Sequence, residues 1–144
     1  MGLKNHKIVQ ATTVTAGAAA TTDITSDAID TAGFDGCTFV IPFGTITATA
    51  VTSVKAQQCD TTGGSYADLT GTAQTVADSD DDKTFYIEIF NPREQFLKCV
   101  VDRGTANAVV GAITAILWNA GNRPVTYASP VSGESFNNPA EGTA

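Results

Sequence analysis

An all-β fold is what this sequence predicts, as a single antiparallel β-sandwich or jelly-roll domain, and three observations predict it. Short runs rich in β-branched and aromatic residues recur along the chain, each bounded by Gly, Pro, Asn or Asp. Several alternate strictly: Cys37, Phe39, Ile41 and Phe43 fall on one face of an extended segment, with Thr38, Val40 and Pro42 on the other. No stretch sustains a helical period, and Pro92 and Gly104 interrupt the run of residues 84–118 where one would otherwise be sought. With 144 residues, 42% of them hydrophobic, the chain can bury one sizeable core. The expected division is an N-terminal arm over residues 1–7, a β domain over 8–120 and an extended C-terminal tail over 121–144.

Taken in order, residues 8–14 alternate well enough for a first strand, and the small residues around 16–20 make a weak edge or loop. Residues 22–31 read as an irregular strand leading into a turn around Gly33 and Gly36. The run from Cys37 to Phe43 is apolar on both faces at its centre, which suits an inner strand, provided Pro42 sits where no ladder donor is required, near an edge or strand end. Residues 46–59 are too long for one straight strand and call for a bend, a bulge or a corner. A Gly-containing turn over 60–65 leads into 66–69, another short strand follows at 72–77, and an acidic loop occupies 78–83. The clearest stretch is 84–118, whose three apolar runs in close succession read as an antiparallel meander. In its first run Phe85, Ile87 and Ile89 face inward and Tyr86, Glu88 and Phe90 outward. Beyond Trp118 the composition turns to Asn, Gly, Pro, Ser and Thr. Isolated Val125, Tyr127, Val131 and Phe136 on such an extended segment suit docking into grooves of a neighbouring subunit.

Several function classes are disfavoured. A net charge of −7 with only eight scattered basic residues opposes binding to a nucleic-acid backbone, which relies on clustered Lys and Arg. The start of the chain is polar and lacks the apolar core of a secretory signal, and His6 stands where a myristoylation site needs Ser or Thr. The longest apolar run, 108–118, falls well short of the ~20 residues that span a bilayer, so no membrane partner is expected. Three cysteines, Cys37, Cys59 and Cys99, are an odd number without metal-ligand spacing and read as buried free thiols.

Candidate chemistry is sparse. His6 is the sole histidine and lies in the arm, remote from any nucleophile pattern. Lys98 beside Cys99 should point to the opposite face. No nucleophile elbow, phosphate loop or zinc-binding helix motif occurs, so no enzyme and no cofactor are expected. Asp78, Asp80, Asp81 and Asp82 are the one cluster with potential for a hard cation, with Asp78, Asp80 and Asp82 as weak metal candidates. Their spacing departs from known calcium loops, and a solvated turn is the favoured reading. Tyr66, Tyr86, Trp118 and Tyr127 would form a sugar-stacking platform only if exposed together, and Trp118 fits better as a core or interface anchor.

Over residues 3–118 the chain resembles a family of small β-rich virion proteins of tailed bacteriophages. The resemblance lies in residues 5–10, in 33–40 around Gly33, Phe34 and Cys37, in the turn from Gly64 to Leu69, in 96–101 and in 111–117. Relatives of this kind stop soon after the position of Trp118, so the tail is a departure. The resemblance implies a non-enzymatic head decoration or cement protein on the outer surface of an icosahedral capsid, assembled in the host cytoplasm and partnered by the major capsid protein and by itself as a homotrimer. The interface residues expected under it are Lys4, His6, Lys7, Tyr86, Phe90, Trp118, Val125, Tyr127, Val131 and Phe136. Alternatives are a structural β module of the tail or tail tip, or a carbohydrate-binding domain.

Overall fold

The computed structural model describes residues 3–13, 19–135 and 140–142. A 3-10 turn, Leu3–Asn5, leads into eleven strands: β1 (His6–Gln10), β2 (Ile24–Thr25), β3 (Ile29–Asp30), β4 (Gly36–Ile46), β5 (Thr52–Cys59), β6 (Ala67–Asp68), β7 (Gln74–Val76), β8 (Thr84–Phe90), β9 (Phe96–Asp102), β10 (Ala108–Val110) and β11 (Thr114–Trp118). They form two antiparallel sheets stacked as a β-sandwich, with β1, β4, β8, β10 and β11 in one and β2, β3, β5, β6, β7 and β9 in the other. Short collinear strands share rows: β2 with β3 beside β9, β6 with β7 beside β5, and β10 with β11 beside β4. Numbered along the chain, the eight rows run 1-8-3-6 in the first sheet and 2-7-4-5 in the second.

Alternation builds the core. Cys37, Phe39, Ile41 and Phe43 of β4 are all buried, and face Val54, Leu97, Cys99 and Val101 from the second sheet within one cluster. The two centres of gravity are β4, paired on both sides, and β5, paired with β9 from Ser53 to Cys59. Pro42 explains why the run 108–118 is two strands. Even-numbered residues of β4 bond toward the β10/β11 row, and Pro42 has no N–H to offer there. The row breaks opposite it, Gly111 N–H donating to the Pro42 carbonyl at 2.8 Å. The approach is so close that a Cβ on Gly111 would meet Pro42 Cγ at 2.8 Å. The Pro therefore sits inside an inner strand, at a break in its partner.

Three expectations need correction. The meander over 84–118 does not form: β8 pairs with β4 and β9 with β5, so consecutive strands lie in opposite sheets. Each run was recognisable from its own pattern, but a strand's own pattern does not specify its neighbours in the plane of the sheet. Both faces of β4 are apolar, and β8 and the β10/β11 row flank it. The arm is shorter than residues 1–7, because His6 and Lys7 belong to β1, paired with Trp118 and Leu117. The first strand accordingly ends at Gln10, and Val14 lies outside the described residues. Residues 46–59 resolve into the end of β4, a turn and β5, as their length required.

Candidate functional site

The feature that stands out is the outer face of the first sheet. Register places His6, Trp118, Gly36 and Phe90 in one cross-strand row, Ile8, Ile116, Thr38 and Glu88 in the next, and Gln10, Thr114, Val40 and Tyr86 in a third. Tyr86 and Phe90 are 65% and 66% exposed, among the few large apolar side chains so placed. Phe90 stacks on Trp118 with ring centroids 5.3 Å apart and planes inclined by 22°. The indole crosses β4 above Gly36, the one residue in the row with no side chain to obstruct it. Its Nε1–H is buried and has no hydrogen-bond partner among the described residues. The inward and outward assignment of β8 holds, since Ile87 is buried, Phe85 and Ile89 half-buried, and Tyr86, Glu88 and Phe90 exposed.

The outer face of the second sheet is different in kind. Ser53, Lys55 and Gln57 of β5 project there beside Lys98 and Asp102 of β9. Lys55 Nζ and Gln57 Nε2 both donate to Asp68 at 2.7 Å, and these bonds hold the Asp68 carboxyl below its ordinary value, Lys55 contributing most. Lys98 points away from the buried Cys99, as expected, and its ammonium lies 4.1 Å from the Tyr66 ring centre. The second face is thus mainly polar and internally paired, with Val100 and the Tyr66 ring beneath its lysines, whereas the first sets aromatic and aliphatic side chains among His6, Gln10, Thr38, Thr114 and Glu88.

The acidic loop is a structural device. Asp78 Oδ2 accepts Thr49 N–H at 3.0 Å, Asp81 Oδ1 accepts Ile46 N–H at 2.7 Å, and Asp80 accepts Ala77 N–H and the Lys83 ammonium at 2.9 and 2.5 Å. The Lys83 bond, then the Ala77 N–H, keeps the Asp80 carboxyl low. These bonds anchor the turn after β4, where Thr49 is held at φ 71°, a conformation a β-branched residue adopts only under constraint. Asp82 is exposed at φ 58° and gives its N–H to the Gly44 carbonyl. Among the described residues no group of three or more His, Cys, Asp or Glu is placed to hold a metal ion. Of the three weak metal candidates, Asp78 and Asp80 thus each bond a backbone N–H through Oδ2, Asp80 Oδ1 takes the Lys83 ammonium, and Asp82 takes part through its own N–H.

The thiols are sequestered. Burial pushes Cys37 and Cys99 up to about 12, with the Cys99 thiol adding to the shift at Cys37. Such thiols stay protonated and inert near neutral pH.

The remaining interface candidates gather at one end of the first sheet. Val125 N–H donates to the carbonyl of the exposed Lys4 at 3.3 Å, and Tyr127 Oη donates to the carbonyls of Leu3 and His6. Val125, Tyr127 and Val131 are half-buried and, with Leu3, Lys4 and Ile8, line an open cavity of about 400 Å³. Lys7 lies beside Pro124 and Val125 in a neighbouring groove. Within one chain, then, residues 121–135 fold back over the N-terminal segment. Phe136 lies outside the described residues. Sequence reasoning missed Gln74, whose Nε2 donates to the Tyr86 carbonyl at 2.9 Å across the edge of the sandwich. No local pattern marks a contact between two sheets.

No protein-family model, curated protein or solved structure matches the chain. Among the described residues no helix is long and apolar enough to cross a membrane.

Proposed function

We propose that the chain is a non-enzymatic head decoration or cement protein of a tailed bacteriophage, seated on the outer surface of the capsid and stabilising the shell by bridging capsomers. The observation that carries this reading is the contrast between the two outer faces. A protein that coats a particle needs one surface to be covered and one to meet solvent. The Tyr86, Phe90 and Trp118 face has the aromatic composition of an interface core, and the Lys55, Gln57 and Asp68 face that of a solvated surface. The row order 1-8-3-6 and 2-7-4-5 pairs rows 1 with 8, 2 with 7, 3 with 6 and 4 with 5, which supports the jelly-roll reading, an arrangement found in viral capsid and lectin domains. Under this proposal the partners are the major capsid protein and further copies of the chain, as a trimer where copies gather at a local three-fold position.

Heads assembled with and without the protein test it. The chain should copurify with heads in large excess over tail proteins, and its omission should lower the temperature or osmotic shock at which heads burst. Recovery with tails alone would instead favour a tail module. Deleting residues 121–144 should leave a folded sandwich that binds heads more weakly. A carbohydrate-binding domain is the second reading, favoured by a groove in which Tyr86 is flanked by Thr72, Gln74 and Glu88. Glycan binding by the isolated chain, lost on Tyr86→Ala, would establish it.

A further inference from the structure

β8 is an edge strand whose free side is unusually complete. Phe43 N–H donates to the Lys83 carbonyl at 2.8 Å, and the same register pairs Ile41 with Phe85, Phe39 with Ile87 and Cys37 with Ile89. Odd-numbered residues of β8 therefore spend their N–H and C=O groups on β4. Those of Thr84, Tyr86, Glu88 and Phe90 point away from the sheet. Among the described residues the only hydrogen bond to that row is the one from Gln74 to the Tyr86 carbonyl. Natural sheets commonly blunt such an edge with Lys, Pro or a bulge. β8 carries no Lys, Pro or bulge between Thr84 and Phe90; its one charge is Glu88, Thr72 and Gln74 border it at Tyr86 and Glu88, and Phe85 and Ile89 remain half-buried on its inner side.

We propose that the free edge of β8 pairs antiparallel with β8 of a second copy about a two-fold axis through Ile87. The choice of occupant rests on the register. Only the even-numbered residues have free groups, so they must oppose one another. Centring on Ile87 sets Thr84 against the partner's Phe90, Phe85 against the partner's Ile89, and Tyr86 against the partner's Glu88. All seven residues are paired and no like charges meet, with the Gln74 side chain turning aside to leave the Tyr86 carbonyl to the partner strand. A shift that centres on Glu88 sets carboxylate against carboxylate, which is unfavourable. A shift that centres on Tyr86 leaves Phe90 opposite Asp82 and the inner-side Ile89 opposite Lys83. The pairing extends the first sheet across both copies and completes the burial of Phe85 and Ile89 beside the already buried Ile87. It also brings two sets of Tyr86, Phe90 and Trp118 onto one side, doubling the apolar platform. This contact lies in the plane of the sheet, so the outer face stays free for the shell, and it holds whether or not the decoration reading does.

The purified full-length chain tests it by analytical ultracentrifugation. Wild type should sediment as a reversible dimer. Tyr86→Glu places two carboxylates opposite Glu88 and its mate, and should weaken dimerisation by about tenfold or more, whereas Tyr86→Lys places opposite charges there and should retain it. Mixing Tyr86→Cys with Glu88→Cys chains should give a disulfide-linked heterodimer, since directly paired residues lie about 5.5 Å apart at Cα, within disulfide reach. Neither variant alone should crosslink comparably. These crosslinks decide the matter if the charged variants prove unstable. A monomer, a trimer, equal loss with Glu and Lys at position 86, or no preference for the mixed crosslink would overturn the proposal. Because the assay contains no capsid, its failure and that of the decoration reading are separate results.

Discussion

Replacing Gly36 by alanine puts a methyl group where the Trp118 indole now lies. Built on the existing backbone, the new Cβ would stand 2.7 Å from Trp118 Cε2, closer still to Cζ2, and 2.6 Å from the Ile89 carbonyl oxygen. The indole can swing aside only by leaving its stack on Phe90, and the carbonyl belongs to the β4–β8 ladder and has nowhere to go. Overpacking of this kind costs about 1–3 kcal/mol, and contact with backbone places Gly36→Ala toward the upper end. Against this, alanine is favoured over glycine in a strand interior by roughly 0.5–1 kcal/mol. The net expectation is a loss of about 2 kcal/mol, or roughly 6–10 °C in Tm for a domain of this size. Trp118 is the chain's only tryptophan, so its emission reports the displacement directly and should move to the red. Thermal melts followed by circular dichroism give the stability. In a Trp118→Leu background the cost of Gly36→Ala should shrink without vanishing, because the Ile89 carbonyl remains. Unchanged Tm and unchanged emission in Gly36→Ala would refute the close packing of Trp118 over β4.

Thr52 is 1% exposed and its hydroxyl has no hydrogen-bond partner among the described residues, so Thr52→Val, which keeps the shape and removes the orphan, should stabilise the fold by about 1 kcal/mol in a denaturant titration. Arg103 is 5% exposed and donates through Nε to the Thr22 carbonyl at 2.6 Å and through Nη1 to the Ala108 carbonyl at 3.0 Å. Burial draws its pKa down while Asp23 opposes the shift. Arg103→Met should therefore cost about 2–4 kcal/mol, with Arg103→Lys restoring only part because it lacks the guanidinium fork. The Asp68 and Asp80 carboxyls are held below 3.8 in the folded chain. Their contribution is fully present above that value and is lost as pH falls through the folded values. Melts should thus be flat in this respect from neutral to about pH 5 and fall below about pH 4, and Asp68→Asn should soften the fall.

What could be read in advance follows the range of the interactions. The side-chain phase of β4 and β8 was legible from alternation alone, since Phe39, Ile41 and Ile87 are apolar where Thr38, Tyr86 and Glu88 mark the other face. The turns at Gly64 and from Asn91, the burial of the cysteines and the outward direction of Lys98 were equally local. The pairing of β8 with β4 was not, because adjacency in sequence favours β9 and nothing in either strand encodes the sheet it joins. Within the candidate site the exposure of Tyr86 and Phe90 was foreseeable. The acidic loop was read as a solvated turn, but that Asp78 and Asp81 bond to the N–H groups of Thr49 and Ile46, more than 25 residues earlier, became visible only once the loop was set against the turn after β4.

By itself, then, the sequence determined where strands form, which side of each is apolar, and that Pro42 demands a partner without a bond at that point, since these depend on backbone stereochemistry and a two-residue period. The tertiary structure alone decided that Trp118 crosses Gly36 to reach Phe90, that residues 121–135 close over Leu3 and Ile8, and that β8 lies at the edge of the sheet formed by the described strands. Those outcomes depend on residues distant in sequence competing for the same neighbour, and that competition is settled by packing across the whole sandwich.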